Sequence, residues 1–363
     1  MQKSDDQQSL ADRRVYACWR MRACGAGLCA GVQVFLVGVG VVMPVSLNAS
    51  WIAALCAPVM AAITAWICRR APTKNSASGR CFGALHVLLG ISFVFNAVFV
   101  LASVISLGEH SLLPQTRSTH SLLFTVLAAF FCAFSRTGVT RLCFALRFML
   151  PVLLCLLCAL SLPLDVNVGL FPLLGAGGEA LLAGCVCMLG AAFPVLLLLY
   201  PPAELETMDD GAGDMHAPDT GFFVWRAALG AAAGAALLFV LTLGSTYESI
   251  AGRRTWGERL VIISSGRPRE GLAQTGLTVL QTIAMMLLAA QMLLGAQQAF
   301  EYRWPGLKKY RMSLLLPTAG MTAALCTLLY VGFDAALALA PCLLVPLLLA
   351  LIFRQRLGGC HEM

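Results

Sequence analysis

An all-α, polytopic transmembrane helical bundle is the fold class this sequence predicts, and three observations predict it. Of the 363 residues, 59% are hydrophobic and only 12% are charged, with a mean hydropathy of +0.81. Soluble domains carry roughly twice that charged fraction. The apolar residues fall into long runs between Ala23 and Phe353, most of them near the roughly 20 residues a helix needs to cross a hydrocarbon core. The runs are continuous, without the period-two alternation of a membrane barrel. A barrel is the other architecture that leaves no backbone group unpaired in lipid.

Ten spans are expected, at about 23–47, 50–68, 82–107, 120–135, 142–162, 171–200, 222–244, 272–299, 312–332 and 335–353. The fourth is short. The sixth is long, and the stretch Gly175-Ala176-Gly177-Gly178 offers a place for it to break. An eleventh crossing is the alternative count, if the short apolar piece Leu260 to Ile263 re-enters the membrane. The chain then divides into a cytoplasmic N-terminal segment (1–22), a six-helix bundle (23–200), a linker (201–221), a second bundle of four or five helices (222–353) and a cytoplasmic tail (354–363). This is a two-bundle, transporter-like layout. The linker carries Glu204, Glu206, Asp209, Asp210, Asp214 and Asp219 with no Lys or Arg, and its Pro, Gly and Asp content argues against a helix.

Orientation follows from Lys and Arg placement. With the N-terminus inside, 17 basic residues fall on the cytoplasmic side and 6 on the other, while Arg147 and Arg226 lie within spans. Both termini are therefore expected in the cytoplasm. This asymmetry accounts for the net charge of +7, so no nucleic-acid partner is expected; the partner is the lipid bilayer. The 15 cysteines lie in spans or near cytoplasmic ends. A disulfide framework has no oxidising side on which to form, and Cys155 and Cys158, despite their CxxC spacing, read as packing residues. No catalytic, cofactor or metal signature stands out, so no enzyme activity and no cofactor are expected.

The candidate functional residues are polar groups inside the bilayer, where each is costly and pairs or lines a cavity. They are Arg147, Glu179, Arg226, Gln281 and Gln291. Each arginine has two readings: its stem reaches back to the headgroups, or it meets a substrate or counter-ion. Glu179 lies deep if the sixth span starts near Phe171, and at a helix N-terminus if the helix restarts after Gly178. Gln274, Thr278, Gln281 and Thr282 form a polar stripe on the eighth span, and Gln291 and Gln298 a second, displaced pair. Such faces serve interhelical hydrogen bonds or a water-filled path. His86 and Asn96 in the third span read similarly. Two GxxxG sequences, Gly27 with Gly31 and Gly230 with Gly234, are candidate helix-packing sites where backbones approach closely.

Six spans, a polar gap and a second hydrophobic set, rich in Ala, Leu and Cys from the Arg13-Arg14 region to Arg354-Gln355-Arg356, resemble the multi-spanning envelope protein family of alphaherpesviruses (the unique-long forty-three type). The resemblance implies a non-enzymatic accessory protein of the virion envelope and infected-cell membranes. Such a protein modulates membrane fusion, cell penetration or egress through lipids and other envelope proteins. The layout is also similar to equilibrative nucleoside transporters, which have eleven spans. Their eighth-span Asp and Arg pair is missing here, where Gln274, Gln281 and Gln291 stand instead. The alternative function is accordingly a facilitative or secondary transporter of a small polar solute such as a nucleoside.

Overall fold

The computed structural model describes residues 2–46, 49–70, 80–111, 127, 136–160, 177–202, 205, 219–244 and 271–310. The spans expected at 312–332 and 335–353, most of that at 120–135, most of the acidic linker and the piece Leu260 to Ile263 lie outside the described residues. Among the described residues, every regular element is helical, and six helices are long and apolar enough to cross a membrane.

The first helix, α1 (Gln2–Val37), does not start at Ala23. It runs through the polar N-terminal segment because nothing before Gly25 breaks it: Gln, Ala, Asp, Leu and Arg all tolerate a helix. A five-residue π-helical stretch, Gly38–Val42, joins it to α2 (Met43–Ser46). From Ala23 to Met43 every side chain is buried. A helix apolar on all sides belongs in the interior of a bundle, and α1 is its central rod.

Around it stand α3 (Ser50–Ala54) and α4 (Cys56–Arg70), separated at Leu55, and then α5 (Arg80–Ser111). The expected fifth span is two helices, α6 (Arg136–Leu146) and α7 (Met149–Leu160), with a turn at Arg147 and Phe148. Pro151 explains the turn, since it has no N–H for the Arg147 carbonyl and its ring crowds that carbonyl. The chain resumes helical bonding at Val152, whose N–H donates to Phe148 O at 3.2 Å.

The sixth span also departs from a single helix. It begins as α8 (Gly177–Leu189), and Gly177 at φ +82° makes the start. It then tightens into a ten-residue 3-10 helix, Gly190–Leu199, around Pro194. Two long helices follow, α9 (Thr220–Gly244) and α10 (Gly271–Arg303), the latter ended by Trp304 and Pro305.

Helices from the two sides of the linker pack against each other. The most extensive contact is α5 with α10, followed by α9 with α1 and with α4. Along α3 and α4, buried Ala53, Ala57, Ala61 and Ala65 form an i+4 stripe, and α9 answers with Phe223, Ala227, Ala231 and Ala235. The opposite faces show Val59 (61% exposed) and Trp225 (64% exposed). Small residues inside and large apolar ones outside is the pattern of helices solvated by lipid, whereas water would drive the large ones inward.

The crossing of α1 and α9 explains both GxxxG sequences. A Cβ at Gly31 would lie 2.5 Å from Gly230 O, and a Cβ at Gly234 would lie 2.2 Å from Gly31 O. No side chain fits between these backbones. The motifs meet each other within one chain.

Candidate functional site

A cavity of about 430 Å³ opens between α1, the start of α7, α9 and α10. It follows α1 from Cys24 to Phe35 and α9 from Arg226 to Leu237, which at 1.5 Å per residue is about 16 Å along the helices. The glycines of the α1–α9 crossing line one wall. Three of the five sequence candidates come together here: Arg147, Arg226 and Gln281.

The turn that Pro151 enforces places Arg147 at the cavity. Its Nη1 donates to Phe144 O, capping the end of α6, and its guanidinium lies over the rings of Phe144 (3.6 Å) and Phe148 (4.6 Å). Arg226 sits one and a half turns into α9, 5.2 Å from the Phe222 ring centroid, and its Nε is buried without a hydrogen-bond partner among the described residues. Gln281, on the buried face of α10, is 2% exposed, and neither its Oε1 nor its Nε2 has a hydrogen-bond partner among the described residues. A buried amide without partners costs about 1–3 kcal/mol. Such an amide in a cavity wall waits for something to bond.

The remaining candidates stand elsewhere. Glu179 is exposed in the first turn of α8, the arrangement that follows from a restart after Gly178. There the helix dipole favours its charge. Gln291 is buried, and its Nε2 contacts Cys143 Sγ at 3.7 Å. The polar stripe on α10 divides: Thr282 donates to Thr278 O within the helix at 2.8 Å, while Gln281 faces the cavity. Gln298 joins a different cluster altogether.

That cluster is a buried polar knot where α1, α4, α5, α6, α9 and α10 converge, at the end of the bundle that carries most of the basic residues. Arg22 donates through Nε and Nη2 to Leu197 O at 3.3 and 3.1 Å, and through Nη2 to Gln298 Oε1. Gln298 Nε2 in turn donates to Pro201 O at 3.1 Å. Leu197 O, near the end of the 3-10 segment, also accepts the Tyr200 N–H at 3.3 Å, so the carbonyl is shared between the helix end and Arg22. Arg136 and Glu301 form an ion pair with side chains 5% and 3% exposed, and Gln297 Nε2 adds a bond to Glu301 Oε1 at 2.9 Å. His86 Nδ1 lies 2.9 Å from the Tyr200 hydroxyl, and the His86 ring stacks 4.3 Å from Tyr302. Arg69 sits 4.4 Å over both Trp19 and Phe223.

Of this knot, only His86 and Gln298 stand out in the sequence as polar groups inside spans. Arg22, Arg69 and Arg136 counted there only as loop charges, and Glu301 was not weighed. The available signal was Gln297 and Glu301 at i, i+4, a polar pair inside the end of a long apolar run. Among the described residues, no group of three or more His, Cys, Asp or Glu side chains is placed to hold a metal ion.

No protein-family model matches the sequence, and no characterised protein matches it by sequence. Solved structures do match by shape. One is the Eremococcus coleocola manganese transporter in complex with an aromatic bis-isothiourea substituted compound, with a TM-score of 0.51 and 14% identity over 95% of this chain and 78% of that one. A glutamate-to-alanine mutant of that transporter aligns over the same shares at 0.49 and 12%. At such identity the likeness is one of fold. Apolar spans, outward-facing large side chains and this shared fold make the chain an integral, multi-pass membrane protein of transporter-like architecture.

Proposed function

We propose that the chain carries a small solute across or out of the membrane through the cavity between α1, α7, α9 and α10. The observation that carries this reading is the cavity itself. It is built from helices on both sides of the acidic linker, and unpaired Gln281 and two arginines face it. Transporter sites lie near the midplane where two repeats meet, often at broken helices. The Arg147–Phe148 turn is such a break. The fold similarity to a manganese transporter supports the same class. The buried knot then serves as the closed door at one end, and on the charge count that end faces the cytoplasm.

The test is uptake into proteoliposomes of labelled nucleosides, organic anions and Mn²⁺, with wild type compared against Ala233→Leu, which fills the cavity. Saturable uptake of any of these, lost in the variant, supports the reading. No uptake of any solute by correctly inserted protein overturns it. It would leave the accessory envelope role implied by the resemblance in span layout, which predicts function through partners and indifference to Ala233→Leu.

A further inference from the structure

The charges facing the cavity decide what it can hold. Among the described residues, Arg147 and Arg226 are the charged side chains that line the cavity, and Cys24 lines it with them. Among the described residues, no Asp or Glu lines the cavity. Two cations that face one low-dielectric cavity disfavour a third cation there, and they favour an anion. Gln281 adds a donor and an acceptor that no described residue satisfies. Every other described lining residue is apolar or glycine apart from Cys24, and the slot runs about 16 Å along α9 by helix rise. Its volume of about 430 Å³ falls in the range of small-molecule sites.

We propose that this cavity binds an amphipathic organic anion, with its acidic head against Arg147 and Arg226 and its apolar body along the α1–α9 glycine and alanine wall. The physiological sense of this rests on the solute-carrying reading above, although the binding does not. The class differs from the cargo named for the structural neighbour. Divalent manganese is held by carboxylate, carbonyl and water oxygens, and this cavity offers it two positive charges instead. The anionic head has two sources, a soluble organic acid or the headgroup of an anionic lipid entering sideways, and both present the same chemistry to the arginines.

The experiment is equilibrium binding of naphthalene-2-sulfonate to the full chain in phosphatidylcholine nanodiscs, beside its uncharged analogue naphthalene-2-sulfonamide and Mn²⁺. Saturable one-to-one binding of the sulfonate is expected, with the sulfonamide weaker by roughly tenfold or more because it lacks the charge. Arg147→Gln with Arg226→Gln should abolish this preference, and the two Lys replacements should keep part of it. Ala233→Leu, which leaves both charges in place, should weaken sulfonate and sulfonamide alike. If the charged and uncharged probes bind equally, or if the Gln variant retains the preference, the proposal is overturned. Mn²⁺ that competes with the sulfonate at the same site also overturns it. Doping the nanodiscs with phosphatidylserine separates the sources: competition assigns the site to a lipid headgroup, and its absence to a soluble acid. Nanodiscs have no gradient, so anion binding without uptake would sink the transport reading alone. Uptake of a neutral or cationic solute without anion binding would sink this one alone.

Discussion

Arg136 and Glu301 are both more than nine-tenths buried, so deleting either leaves an uncompensated charge in the interior. Removing one partner of such a pair typically costs 3–5 kcal/mol, whereas replacing both with apolar groups of similar size is often neutral. Arg136→Ala is therefore expected to lower the thermal stability of the detergent-solubilised protein by about 3–5 kcal/mol, and Arg136→Met with Glu301→Met to restore most of it. Equal loss in single and double variants would show that the pair is not the source. Tyr200→Phe should cost less, about 1 kcal/mol, because it removes one hydrogen bond to His86 Nδ1 and keeps the ring. Denaturant unfolding of the two variants side by side checks the ranking. At this scale the sequence showed which residues are costly but not whom they meet. Arg147, Arg226 and Gln281 were legible as polar groups inside apolar runs. Arg136 and Glu301 are 165 positions apart, and Arg22 and Gln298 276 apart, and no local pattern encodes such a pairing.

The helices themselves were readable because lipid allows few alternatives: a run of about 20 apolar residues must satisfy its own backbone. Their interruptions were less so. Gly175 to Gly178 marked the α8 start, but the Arg147 turn lay hidden inside an apolar stretch whose one clue was Pro151. The long 3-10 segment after Leu189 likewise had only Pro194 to announce it. The GxxxG sequences were visible as motifs, and only the structure pairs α1 with α9. Two glycine contrasts test these elements. Gly31→Val drives a side chain into the α9 backbone and should abolish folded expression, measured as monodisperse protein in detergent. Gly178→Ala has open space around it and should raise α8 stability by up to about 1 kcal/mol. The same change at Gly177, with its positive φ, should lower stability instead. Thermal unfolding of the two alanine variants distinguishes them by sign.

For the whole molecule, one end is locked by a buried polar knot and a cavity runs between helices above it, against α1 as the fixed rod. On the proposed solute-carrying reading that knot must open, so weakening it should expose thiols that it buries. Cys68, at the end of α4, is 5% exposed, and Glu301→Gln should increase its labelling by a water-soluble maleimide several-fold relative to wild type. An unchanged rate would place the knot outside any opening motion. The central claim is that the cavity communicates with water on both sides in turn. It is tested most directly by a single cysteine at Ala233 in a chain whose 15 native cysteines are replaced by Ser or Ala, probed in sealed proteoliposomes with a membrane-impermeant maleimide added to one side or the other. The account predicts labelling from each side, slowed when the Arg136–Glu301 end is held shut by an engineered cross-link. Labelling from neither side, or from one side alone in every condition, would contradict it.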